Sequence, residues 1–235
     1  MEKLYYRYKG KLLSKLKSQP HDSFGGKELN KVKNGLSFEC SVMDPAAQNL
    51  IQNPVDWCND KISRVLNEMY PDGNIPMNIN SVSVMIYPFD GVGYTVNGKT
   101  PGSKTVHISS KYIASVQAEK KMSELDGVTC HELVHAFQYD GDHTAPHGFI
   151  EGLADFYRIK VGLAAKHWNP TALGASWDAG YEKTGYFLLW LDLTFPGSVN
   201  KLNLHLKNHR WYEGDPFKTI TGYNVDQLFQ WYKKS

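Results

Sequence analysis

The segment His131-Glu132-Leu133-Val134-His135 constrains this chain more than any other. Two imidazoles four residues apart come within reach of one ion on a helix, where positions i and i+4 stand one above the other on the same face. Glu132 follows the first ring and lies about 100° further round the helix, outside the face the rings share. Neutral imidazole is a preferred zinc ligand, and a catalytic zinc keeps one position open for water beside three protein ligands. Glu132 can reach that water without joining the ligand set. The pattern points to activation of water and handling of its proton, with a third ligand supplied from elsewhere.

The flanking residues extend this reading. Leu125, Val128, Leu133, Val134 and Phe137 recur at helical spacing and predict a largely buried helix, stopped at Asp140-Gly141. Burying two His and a Glu without partners is costly, which weighs against a purely structural pair. A metzincin places a third His six residues after the second, but Gly141 stands there, and Gln138 stands where that class has Gly. That class is excluded. Downstream, Ile150, Leu153, Ala154 and Tyr157 predict a second buried helix carrying Glu151 and Asp155 four apart on one face. Acids on a buried helix need compensation, and a metal supplies it. Glu151 is the expected third ligand, with Asp155 accepting the free ring N–H of a ligating His. Asp155 as the direct ligand is the competing assignment. This Glu/Asp spacing resembles the gluzincins, in which a ligand Glu is followed four residues later by an orienting Asp. His143 and His147 are weaker ligand candidates, read as loop residues beside the site because Pro146 breaks any helix carrying them. Cys130 points to another side of its helix and reads as an ordinary buried thiol.

The rest of the chain sets the frame. With 235 residues, 41% of them hydrophobic, residues 36–235 can form one domain around one core. A net charge of +2 gives no case for nucleic acid. No apolar run reaches membrane-spanning length, and no internal repeat is present. Six Trp and fourteen Tyr can line a cleft as well as fill a core. Three cysteines make no disulfide framework, though Cys40 and Cys58 could pair if their elements are adjacent. Residues 1–33 carry nine Lys/Arg against three acids, so residues 1–35 read as a basic arm, expected to be partly disordered. The first twenty residues lack the apolar core of a secretory leader, which leaves an intracellular protein open.

Alternation and turn residues predict strands at 36–42, 81–87, 91–96 and 105–109. Helical segments are expected from Asp44 to Tyr70, with a break at Pro54. After Lys111 come a short helical piece, the His131 and Glu151 helices, and further helices near 179–193, 199–208 and 225–233. Strands gathered before helices indicate an α+β fold, with a small mixed sheet in the N-terminal half and a helical C-terminal half. The 91–96 strand is expected at the sheet edge beside the His131 helix, where an extended peptide can add as a further strand.

The runs HELVHAFQYDG (131–141), TAPHGFIEGLAD (144–155) and WDAGYEKTGYFL (177–188) resemble the basic secretory protein family of plants and microbes. Residues 90–94, TVHISSKYI (105–113) and VDQLFQWYK (225–233) extend the similarity over about residues 36–233. The resemblance implies a zincin-like metallopeptidase domain around the HExxH pattern, often secreted or at the cell surface and associated with defence.

The expected activity is zinc-dependent hydrolysis of a peptide or protein substrate by a monomer. Zn2+ is held by His131, His135 and Glu151, and Glu132 is the general base. Tyr181, opening a predicted helix, is the candidate donor to the oxyanion because a phenol donates without carrying charge. Tyr186 and His143 are lesser options. The alternative is a non-catalytic zinc-containing defence or surface-binding module. Glu132 argues against it, since a closed structural zinc site has no use for an adjacent base.

Overall fold

A computed structural model describes residues 36–76 and 78–235, so the expectations for the basic arm lie outside the described residues. Among the described residues, four strands and nine α-helices form a mixed α+β fold. They fall into two compact units.

The first unit comprises residues 36–138 and 157–167. It contains β1 (Ser37–Val42), α1 (Pro45–Gln48), α2 (Pro54–Met69), β2 (Ser81–Tyr87), β3 (Gly93–Asn97), β4 (Ser103–Ser109), α3 (Ser110–Ser115) and α4 (Lys121–Phe137). The sheet order is β1-β2-β4-β3, with β1, β2 and β4 parallel and β3 antiparallel to β4. Alternation in β2 buries Val82, Val84 and Ile86 on the face that also receives Val106 and Ile108 of β4. Helix α4 packs against β4 and β3, and α2 against α4 and β1. Because Gly93 lies opposite Ile108 and Thr95 opposite Val106, both share this inner face, while Tyr94 and Val96 are exposed. Strand β3 therefore stands at a sheet edge with alternate residues aimed toward the helices.

Helix α4 is fixed along its length. Trp57 Nε1 donates to Asp126 at 2.7 Å, and Tyr70 Oη donates to the Phe137 carbonyl at 2.5 Å, satisfying an acceptor at the helix end. The stop differs from the sequence expectation. The helix ends at Phe137 because Gln138 turns extended (φ −74, ψ 156), and Gly141 (φ 65) serves the turn that follows. All three cysteines are free. Cys40 on β1 and Cys58 on α2 are hydrogen-bond neighbours, so their elements are adjacent. Cys130 is fully buried, and burial pushes its thiol up to about 12.

The second unit comprises described residues 139–156 and 168–235. Helix α5 (His147–Lys160) begins in it and runs on into residues of the first unit. It also holds α6 (Tyr181–Thr194), α7 (Ser198–His205), α8 (Pro216–Thr221) and α9 (Val225–Lys233). Pro146 starts α5 rather than breaking a helix: its carbonyl accepts from the amides of Phe149 and Ile150, and a proline needs no partner for a missing N–H. His147 is consequently the first helical residue and not a loop residue. Helix α6 is buried throughout its middle, residues 184–191, with its charged residues confined to the two ends. It lies close against α5, since a Cβ on Gly152 would meet Thr184 at 2.2 Å and one on Gly185 would meet Asp155 at 3.2 Å. That contact leaves Asp155 only 1% exposed.

Candidate active site

The sequence places the two rings on α4, and the helix brings them face to edge. His131 Nε2 and His135 Nε2 stand 3.0 Å apart, with ring planes at 84°. Glu151 of α5 offers a carboxylate oxygen to the same point: one ligand atom from each of His131, His135 and Glu151 lies within 4.8 Å of the other two. Among the described residues no other group of His, Cys, Asp and Glu meets that condition.

Glu132 is buried beside this cluster at 6% exposure. Its carboxylate is held from β3. Thr95 Oγ1 lies 3.0 Å from Glu132 Oε2 and 2.8 Å from the Glu132 backbone carbonyl, so one hydroxyl spans both ends of the residue. Two positions earlier on the same face, a Cβ at Gly93 would meet Glu132 Oε1 at 2.9 Å. Glycine there gives the carboxylate its room. On the other side of the ring pair, Gln138 Nε2 lies 2.8 Å from His135 Nδ1.

Of the remaining expected residues, Asp155 is buried one turn beyond Glu151 on α5. Tyr181 opens α6 with a left-handed backbone (φ 44) and a side chain 53% exposed, so it is not a core aromatic; Tyr186 is. His143 sits in a left-handed turn (φ 62) with its Nδ1 2.7 Å from Asp140, fully in solvent at 89% side-chain exposure. His147 Nδ1 is 3.7 Å from Glu151 Oε1, an edge contact made from an exposed ring.

Thr95, Gly93 and Gln138 escaped the sequence analysis as site residues. The Gly-x-Thr alternation of β3 marks one face of a strand, and nothing in it names the distant residue that face meets.

A family model described as a peptidase of plants and bacteria matches residues 27–232. The chain belongs to that family, the basic secretory proteins, and carries its peptidase-type domain. No curated protein and no solved structure matches it. Among the described residues no helix is long and apolar enough to cross a membrane.

Proposed function

We propose that the chain is a zinc-dependent peptidase of zincin-like, gluzincin-type architecture, with His131, His135 and Glu151 as ligands and Glu132 as general base. The observation that carries this reading is the meeting of three ligand atoms within 4.8 Å of one another. The donors suit the ion. Zinc takes imidazole nitrogen and carboxylate oxygen, and nitrogens sharing a tetrahedral zinc stand about 3.3 Å apart. The 3.0 Å found between the rings needs only a few tenths of an ångström of opening. Three protein ligands among the described residues, rather than four, favour a catalytic over a closed structural site.

When bound, such an ion acidifies water from a pKa of 15.7 to about 7 and polarises a carbonyl oxygen. The chain supplies the rest. Glu132 takes the proton of the attacking water and returns it to the leaving amine. Thr95 engages Oε2 and holds the carboxylate in place. Asp155 accepts the free N–H of a ligating ring and holds its orientation. Tyr181 can turn its exposed phenol toward the developing oxyanion. Among the described residues β3 is an edge strand, beside the helix that carries Glu132, and such an edge suits an extended peptide substrate. Secretion or display at the cell surface is the setting the family implies.

The test joins metal analysis to turnover. Purified protein should contain one zinc per chain, and a chelator should abolish casein hydrolysis reversibly. Glu132→Gln should keep its zinc and lose about 10²- to 10⁴-fold in kcat. Full turnover in that variant removes Glu132 from the chemistry. A zinc complement that survives His135→Ala overturns the ligand set.

A further inference from the structure

The nitrogen of His135 that faces away from His131 raises a question of protons. Gln138 presents its side-chain Nε2 at 2.8 Å from His135 Nδ1. An amide N–H donates and cannot accept, so the amide in this sense requires a bare Nδ1 and a proton on Nε2. This tautomer also explains the 3.0 Å contact, in which His135 Nε2–H donates to His131 Nε2. It is the wrong tautomer for a ligand. A neutral ring that gives Nε2 to a cation carries its proton on Nδ1, and that N–H needs an acceptor.

The acceptor is at the other end of the same amide. Gln138 Oε1 is buried and has no hydrogen-bond partner among the described residues. No donor there fixes the oxygen, so nothing but the bond to Nδ1 holds the amide in its present sense. We propose that Gln138 is a positioning residue for His135, and that its amide turns over when metal binds. A half-turn about the last side-chain torsion exchanges Oε1 for Nε2 and remakes the contact with reversed polarity, His135 Nδ1–H donating to Oε1. The ring stays neutral, and its proton only changes nitrogen. The proposal rests on the assignment of His135 as a ligand made above, and adds how this chain prepares that ring.

Zinc affinity, measured by competition with a chromophoric chelator, tests it without recourse to turnover. Wild type, Gln138→Leu and Gln138→Glu are compared, with metal-free melting curves showing that each is folded. Leu should bind zinc about 10- to 100-fold more weakly, the usual loss when a ligating histidine loses its partner. Glu can accept but not donate, and should match or exceed wild type. A zinc-loaded crystal structure of Gln138→Glu should put a carboxylate oxygen within hydrogen-bond reach of His135 Nδ1. Should the Leu variant fail to fold, Gln138→Ala removes the same acceptor. If Glu binds as weakly as Leu, Gln138 serves His135 only as a donor and the amide flip is wrong. Equal affinity in all three proteins removes Gln138 from the site. Wild type that takes up no zinc instead overturns the ligand assignment beneath the proposal, and the proposal with it.

Discussion

Glu132 shows how a single side chain becomes useful only through its neighbours. A glutamate on a helix ordinarily samples several rotamers, and a general base that wanders is a poor one. Here the Thr95 hydroxyl offers its one proton between the carboxylate and the backbone carbonyl of Glu132, and Gly93 leaves space for Oε1 and no more. If this bracket positions the base, Thr95→Val should lower kcat by about 10- to 100-fold with KM and zinc content unchanged, and Thr95→Ser should recover most of the loss. Gly93→Ala should act in the same direction by pressing on Oε1. A Thr95→Val protein with undiminished kcat would show that Glu132 needs no such support. The approach of His131 to His135 was legible in sequence because a helix converts spacing into proximity: four residues apart is one turn, whatever else the chain does. Thr95 and Gly93 were not, since their partner is 37 or more positions away and is chosen by packing. Gln138 was visible only as the wrong residue for a metzincin.

At the level of elements, patterning succeeded where one face is buried and failed where ends are decided by local geometry. Strand β2 alternates without a lapse because one side is buried, and a one-residue slip would turn Val82, Val84 and Ile86 outward. Asp140-Gly141 looked like a helix stop, yet Gln138 had already left the helix to meet His135. Pro146 looked like a break and is a start. Helix α8 is short, but its signals are ordinary: Asp215 caps it, Pro216 opens it and Gly222 (φ 85) closes it. One element contact makes a sharp prediction. Gly127 lies inside α4, where exchange for Ala ordinarily gains about 1 kcal/mol. A Cβ at that position would stand 2.4 Å from the guanidinium of Arg158, which is 5% exposed and donates to Glu124 Oε2 at 3.1 Å and to the Leu163 carbonyl at 2.9 Å. Displacing a buried, bonded guanidinium outweighs the gain in helix propensity. Gly127→Ala should therefore lower stability by about 1–3 kcal/mol in urea unfolding. A stabilised variant would mean that Arg158 yields without loss.

Across the whole molecule, 26 Lys and Arg nearly balance 24 acids near neutral pH, so self-repulsion is small there. Acid removes that balance and leaves the basic residues and nine His unopposed. Against this shared background one carboxylate should be separable. Burial tends to raise the Asp60 carboxyl, but hydrogen bonds from Arg64 at 2.9 and 3.0 Å and from Lys61 at 2.9 Å outweigh it and hold the group below its ordinary value. A carboxyl depressed in the folded state contributes stability that is complete above its unfolded value of about 3.9 and is lost as pH falls through the lower folded value. Asp60→Asn should thus be less stable than wild type near pH 7, by about 1 kcal/mol for a carboxylate one-third exposed. The gap should begin to narrow as pH falls below about 3.9 and close only below the lower folded value, where the wild-type side chain is itself neutral. Salt distinguishes the two sources of acid sensitivity. It relieves the repulsion that both proteins share, which acts over many ångströms, and leaves most of the short-range difference between them. Urea midpoints from pH 7 to pH 3, at low and high salt, read both effects. A gap that persists unchanged at pH 3 would show that the Asp60→Asn substitution disturbs packing around the buried Lys61 ammonium, and that the charge on Asp60 is not what stabilises α2.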